Sequence, residues 1–263
     1  MFHKKVESIL NESNLDDKFI KFKIFYDDFK LGRVEFEDNF IPKILKKPSF
    51  SRICKVLPAK DIPKFKDDKK EAFFLHSIAH IEYSAIDLAL DDCYRFVKLP
   101  LAYYEDWLEV ASDEIRHFTM ISDELLKLGY KYGDFPVHDG LFFGMKNTQN
   151  SLLERMAIMH KYMEANGLDA NYFMLKKIKN DSSKKELKNL LNQILEEEIS
   201  HVKKGNYWFE FACKKEGISK GIFIDIVMKH YPKFKNIKKE LNINDRIRAG
   251  FTEEEIKILN NKP

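Results

Sequence analysis

The stretch Glu198-Ile199-Ser200-His201 lies in the middle of the apolar-striped run 187–213. On a helix, residues three apart share a face, so the carboxylate of Glu198 and the imidazole of His201 lie on the same side. That side also carries Leu191 and further apolar residues, which predicts that it faces the core. Burying a carboxylate and an imidazole costs free energy unless partners replace the lost water. The sequence therefore predicts a partner group at this position.

A second Glu-x-x-His motif, Glu114-Ile115-Arg116-His117, lies upstream on another apolar helical face, and the sequence contains no third copy. Two further apolar helical runs each place one glutamate on the buried side, Glu82 in the first run and Glu164 in the third. In chain order, the four runs carry Glu, Glu-x-x-His, Glu and Glu-x-x-His. This order is typical of four-helix proteins that bind two iron or two manganese ions through carboxylates.

The predicted metal ligands are four carboxylates and two imidazoles: Glu82, Glu114, His117, Glu164, Glu198 and His201. Iron and manganese accept such hard and borderline ligands. Two divalent ions would also neutralise four buried negative charges. We therefore predict a cofactor of two iron ions, or of one manganese and one iron ion. The alternative is a bundle without metal, whose buried acids pair with basic side chains.

Composition and charge indicate a soluble globular protein with a substantial core. Of the 263 residues, 44% are hydrophobic and 33% are charged, and the net charge of +3 is too small to indicate nucleic-acid binding by itself. Three widely spaced cysteines fit a reduced chain better than a disulfide framework. The N-terminal residues lack the apolar core of a secretion signal, and no apolar run has the length of a membrane span. We expect a cytoplasmic protein.

The first domain, residues 1–67, is predicted to be an N-terminal extension that ends in a connector wrapping the helical body. Residues 20–24 and 33–37 alternate between apolar and polar side chains, with Gly32 between them, and this pattern predicts a small β-hairpin. An amphipathic helix over 15–30 is the competing interpretation. Four prolines between 42 and 63 indicate an extended connector.

The second domain, residues 68–217, is predicted to be an all-α, ferritin-like four-helix bundle. Its helices are expected at about 69–97, 100–128, 147–165 and from 184 to 215, with Asn166-Gly167 ending the third helix before a short continuation. The stretch 129–140 is rich in turn residues, and counted to the next helix this connection is long enough to cross the length of a bundle. A long crossover between helices two and three is the ferritin-like connection. The third domain, residues 218–263, is predicted to be an appendage of short helices, the last opened by the capping box Thr252-Glu253-Glu254-Glu255.

Several histidines lie near the predicted ligands. His160 is one turn before Glu164 and could be an additional ligand, although a hydrogen-bonded core residue is the preferred interpretation. His76 and His80 do not share the face of Glu82, and we expect them to contact neighbouring loops. His138-Asp139 in the crossover could cover the site or could be only a polar turn, and the sequence leaves both roles open.

Six segments resemble a known family: 80–89, 106–108 with 114–118, Tyr132–Leu141, Glu164-Ala165-Asn166-Gly167-Leu168-Asp169, 198–202 and Arg246-Ile247-Arg248-Ala249-Gly250-Phe251. Together they resemble one bacterial ferritin-like family, domain of unknown function 455, over residues 40–260. The resemblance implies a ferritin-like bundle with a dinuclear metal site on the six predicted ligands, and it implies no substrate. The chain is also more distantly similar to tRNA-hydroxylating di-iron enzymes, in the bundle and the ligand pattern only.

The leading functional hypothesis is an oxidoreductase with two iron ions that activates O2 or peroxide toward an unknown small-molecule substrate, using an unknown electron donor. A ferroxidase or iron-handling protein without organic substrate is the first alternative, and we expect a monomer or dimer rather than a cage. A tRNA-modifying hydroxylase is the second alternative. We expect no membrane partner.

Overall fold

The computed structural model describes residues 1–66, 68–232 and 240–260. Within these ranges the regular structure is helical, and the described residues form no β-strand beyond an isolated bridge between Val56 and Val137. The chain divides into two compact units, the first ending at Lys146 and the second beginning at Asn147. No helix among the described residues combines the length and the apolar composition that crossing a membrane requires.

The first unit begins with two helices, α1 (Phe2–Leu10) and α2 (Leu15–Lys30). The predicted β-hairpin is therefore wrong, and the competing helix over 15–30 is confirmed. The local reason is a helix start that the alternating pattern conceals. The Asn14 side chain accepts a hydrogen bond from the Asp17 backbone N–H at 3.1 Å, and two aspartates in the first turn favour the helix N-terminus.

A buried ion pair joins this extension to the next helix. Lys18 on α2 has no accessible surface, and its Nζ donates to Asp87 Oδ1 at 2.5 Å. The hydroxyl of Ser49, from a short 3-10 turn (Ser49–Arg52), donates to the second oxygen of Asp87 at 2.6 Å. Because a buried charge without its partner is strongly destabilising, this contact fixes how the extension packs.

Two long helices form the centre of the first unit. Helices α3 (Asp68–Arg95) and α4 (Leu101–Lys127) pack against each other along their length, and the short link 96–100 makes them antiparallel. Both lie close to their predicted bounds. The stretch after α4 carries a further helix, α5 (Gly140–Asn147).

The second unit contains another pair of long helical segments. The first runs without interruption through α6 (Leu152–Arg155), a π-helical segment (Met156–Met163) and α7 (Glu164–Lys177). It packs against α8 (Lys185–Glu216), which follows a 3-10 turn (Ser182–Lys184). The predicted helix end at Asn166-Gly167 is wrong, since those residues continue α7, and the irregularity lies upstream in the π-helical segment.

Gly217 ends α8 in the left-handed conformation, with φ at 70°, which is the helix end that the sequence predicts. Short helices follow: a 3-10 turn (Lys220–Ile222), α9 (Phe223–His230), α10 (Ile243–Arg248) and α11 (Glu253–Asn260). The capping box is confirmed, since the Glu255 N–H donates to Thr252 Oγ1 at 3.1 Å and the Thr252 N–H donates to Glu255 Oε2 at 2.9 Å. Assembly of the helices into one ferritin-like bundle stays a prediction.

Candidate metal centre

Three of the predicted ligands come together within the first unit. Glu82 projects from α3, and Glu114 and His117 project from α4. One potential ligand atom from each residue lies within 4.8 Å of the other two. The Nδ1 atom of His117 is 3.4 Å from Glu114 Oε2 and 3.6 Å from Glu82 Oε2. The three-residue spacing aligns Glu114 with His117, and the packing of α3 against α4 adds Glu82.

This group of ligand atoms is buried. Glu114 and His117 have no accessible surface, and Glu82 retains 7%. Two carboxylates at this separation repel each other strongly in a medium of low dielectric constant. A cation between them attracts both carboxylates and makes the net electrostatic energy favourable. Oxygen and imidazole nitrogen donors suit a hard or borderline divalent ion. The donor set of the first unit can therefore hold a metal ion.

The other three predicted ligands lie in the second unit. Glu198 and His201 share one face of α8, with His201 Nδ1 3.7 Å from Glu198 Oε2. Glu164 is the first residue of α7, and its Oε1 lies 3.9 Å from Nδ1 of His160 in the π-helical segment. His160 and His201 are 1% exposed, whereas Glu164 retains 15% of its side-chain surface.

The π-helical segment sets the position of Glu164 relative to α8. A π-helix adds a residue to the turn and so rotates everything that follows it, and such segments are frequent at functional sites. Gly205 on α8 allows the π-helical segment to approach α8 closely. A Cβ at position 205 would lie 2.7–2.8 Å from the Cβ, carbonyl carbon and oxygen of His160. Gly205 is one turn beyond His201, so the close approach lies directly beside the Glu-x-x-His motif.

The histidines of α3 bind the loop that follows α4, as expected. Nε2 of His76 accepts a hydrogen bond from the Gly133 backbone N–H at 2.9 Å. His80 bonds to the Tyr132 hydroxyl at 2.9 Å and to the His138 carbonyl at 2.8 Å. Burial lowers the pKa of both imidazoles to about 4. These rings hold the loop against α3, and His138 takes part through its backbone.

Sequence reasoning missed the π-helical segment and two buried cations, Lys161 within that segment and Arg246 against the start of α7. Helical periodicity carries no signal for the π-helix, since His160 and Glu164 have the four-residue spacing of an ordinary helical face. Neither cation has a sequence signal for burial, since Lys161 is flanked by His160 and Tyr162, and Arg246 by Asp245 and Ile247. Their acidic partners are far away in sequence and could not be identified from it.

Comparison with known proteins places this architecture in a family. A family model described as a protein of unknown function (DUF455) matches residues 11–257, which includes most of the extension that the sequence resemblance left out. An uncharacterized protein from Haemophilus influenzae (strain ATCC 51907 / DSM 11121 / KW20 / Rd) is 34% identical over 272 residues, covering 97% of this chain and 92% of its relative. No solved structure matches. The chain belongs to the DUF455 family.

Proposed function

We propose that this protein binds two metal ions, most simply two iron ions, and uses them as an oxidoreductase. The observation that carries the proposal is the buried group of Glu82, Glu114 and His117, three donors from two helices with their ligand atoms within 4.8 Å of one another. Its counterpart is the pair Glu198 and His201, which repeats the same spacing on α8.

In this proposal the six ligands are Glu82, Glu114, His117, Glu164, Glu198 and His201. The two imidazoles supply neutral nitrogen donors, and the four carboxylates balance the charge of two divalent ions. When bound, two reduced iron ions, or a manganese–iron pair, supply the electrons that activate O2 or peroxide. The protein holds the donors in fixed positions and excludes water, as the burial of Glu114 and His117 allows. The partly exposed Glu164 gives one carboxylate access to solvent.

Metal content tests this proposal. We expect about two iron or manganese ions per chain in purified protein, measured by mass spectrometry, and a loss of most of this metal in the double variant Glu114→Ala, His117→Ala. The matched control is Glu124→Ala, Lys127→Ala, which removes an acidic and a basic residue at the same spacing near the end of α4, where Lys127 is exposed and Glu124 is half-buried. Metal-free wild-type protein, even after anaerobic loading with ferrous iron, would refute the proposal.

Oxygen consumption by the loaded protein separates the reaction classes. An oxidoreductase with a resident centre stops after the electrons of about two ferrous ions are used, unless a donor and a substrate are added. An iron-handling protein continues to oxidise added ferrous iron over many ions per chain. A tRNA-modifying enzyme would bind tRNA with an affinity that falls steeply as salt concentration rises.

A further inference from the structure

Arg246 on α10 is buried against the beginning of α7. The side chain is 1% exposed, and its guanidinium donates to both carboxylate oxygens of Asp169, at 3.1 and 2.7 Å. The same guanidinium donates to the Ala165 carbonyl at 3.1 Å and to the Asn166 side-chain oxygen at 3.3 Å. A planar bidentate contact of this kind fixes direction as well as distance. Arg246 therefore holds the turn that directly follows Glu164.

Lys161 makes the corresponding contact on the other side of Glu164. It lies within the π-helical segment, is 4% exposed, and forms an ion pair with Glu255 on α11. Its Nζ also lies 4.2 Å from the ring centroid of Phe223 and 5.2 Å from that of Phe251. Burial lowers the pKa of Lys161, while Glu255 opposes the shift. Cation–π contacts and one carboxylate thus compensate for the water that the ammonium has lost.

These two contacts bracket Glu164 in the chain. Lys161 lies three residues before it, and Arg246 binds the carbonyl of the residue after it. Arg246 and Glu255, the ion-pair partner of Lys161, both lie in the segment 242–256. This segment contains α10 and the first turn of α11, and we call it the C-terminal clamp. A π-helix has no intrinsic advantage over an α-helix, so contacts outside the segment must select it. The C-terminal clamp supplies such contacts at both ends of the turn that carries Glu164.

We propose that Arg246 and Lys161 are positioning residues that fix the π-helical segment and thereby set the Glu164 carboxylate for metal binding. This inference rests on the proposed function. It assigns a role to the Arg246–Phe251 motif, which contributes no metal ligand. It also predicts that removal of the guanidinium changes the metal centre while the helices remain folded. An ordinary packing contact would not have this effect.

The test uses Co²⁺ as the probe, titrated into the full metal-free chain while visible absorption is recorded. We expect Arg246→Met to bind Co²⁺ about tenfold more weakly or worse, with a changed spectrum, as is usual when a group that orients a ligand is lost. Arg246→Lys should recover part of the affinity. The matched control is Arg248→Met, two residues away on α10, whose guanidinium is half exposed and pairs with Glu196. It should bind Co²⁺ as the wild type does.

A folded Arg246→Met variant with wild-type affinity and spectrum would overturn the inference, and so would an equal loss in Arg248→Met. Circular dichroism and thermal unfolding of the metal-free variants show which of them are folded. If Arg246→Met does not fold, Glu255→Gln decides the question. This change keeps the capping box, because the glutamine side-chain oxygen can also accept the Thr252 N–H, but it removes the charge that faces Lys161. We expect a severalfold loss of Co²⁺ affinity, and an unchanged affinity would contradict the positioning role.

The two proposals fail in different ways. If wild-type protein binds no Co²⁺, iron or manganese, the proposed function is wrong. The positioning role is then wrong as well, because there is no metal for Glu164 to bind. If the wild type binds metal and the Glu114→Ala, His117→Ala variant does not, but the clamp variants bind normally, only the positioning role is wrong.

Discussion

His76 is held in one protonation state by its surroundings. The ring is fully buried on α3, and its Nε2 accepts the Gly133 N–H, so in the neutral ring the proton is on Nδ1. Tyr132 stacks on the ring with a centroid distance of 5.1 Å, and Phe135 packs edge-on at 5.3 Å. Protonation of Nε2 would place a second N–H against the Gly133 donor. Burial lowers the pKa to about 4, and the charge of Asp134 offsets only part of this shift.

The stability of the protein should therefore fall in acid. In the unfolded chain His76 titrates near 6.5, so between pH 6.5 and about 4 the unfolded state binds more protons than the folded state. The free energy of unfolding is highest above this window and decreases by up to ~1.4 kcal/mol per pH unit for each such proton. In His76→Gln an amide oxygen can still accept the Gly133 N–H but cannot titrate, so the decrease should be shallower. It should not vanish, because the pKa of His80 is also lowered to about 4. Urea unfolding at several pH values measures both curves, and parallel curves would exclude this role of His76.

At the scale of elements, the contact between α8 and the π-helical segment depends on the missing side chain of Gly205. In Gly205→Ala the new Cβ would meet backbone atoms of His160 at 2.8 Å, and backbone cannot move aside as a flexible side chain can. We expect a loss of about 1–3 kcal/mol in the free energy of unfolding, the usual cost of overpacking. Gly167→Ala is the matched control, since nothing lies within 4 Å of its Cβ. Alanine inside α7 should instead stabilise the protein by about 0.5–1 kcal/mol. Equal effects of the two substitutions in urea unfolding would contradict this account.

The elements that the sequence predicted well are those with local determinants. The long helices follow from apolar periodicity, and their ends follow from residues such as Pro100 and Gly217. Thr252 and Glu255, which are three residues apart, form the capping box with each other. The predicted hairpin failed because residues 20–24 alternate in hydrophobicity while the helix-initiating residues lie upstream, beginning with the Asn14 cap. Alternation over five residues is too short to outweigh a capped helical start.

In the candidate site, too, the features with local determinants were predictable and those that depend on distant residues were not. The pairing of Glu114 with His117 follows from three-residue spacing alone. Adding Glu82 required the assumption that α3 and α4 pack as neighbours, which the short link supports. The ion pair of Lys18 with Asp87 spans 69 residues and leaves no local trace. Contacts of this kind depend on the tertiary fold, and for that reason they were less predictable than the helix faces that carry the predicted ligands.

At the scale of the whole molecule, each of the two compact units contains one glutamate and one Glu-x-x-His pair that we propose as metal donors. The first unit has Glu82 with the pair Glu114 and His117, and the second has Glu164 with the pair Glu198 and His201. Neither set alone has enough protein ligands for two ions of the usual coordination. Our proposal that all six residues hold one dinuclear centre predicts that metal binding links the stability of the two units, because ions that bind only the folded state stabilise everything that holds them.

A double-mutant cycle on His117 and His201 tests this link. For the wild type, His117→Ala, His201→Ala and the double variant, we would measure the free energy of unfolding with and without ferrous iron under anaerobic conditions. For each variant, the free energy of unfolding with iron minus the free energy without iron gives the contribution of the metal. Any cost of the substitution to the fold itself cancels in this difference. We expect the wild type to gain about 2.7 kcal/mol for each bound ion at a free ion concentration 100 times the Kd. Each single variant should lose most of this gain, and the double variant should lose no more than either single variant. Losses that simply add would mean that each unit binds its own ion, since independent sites are additive.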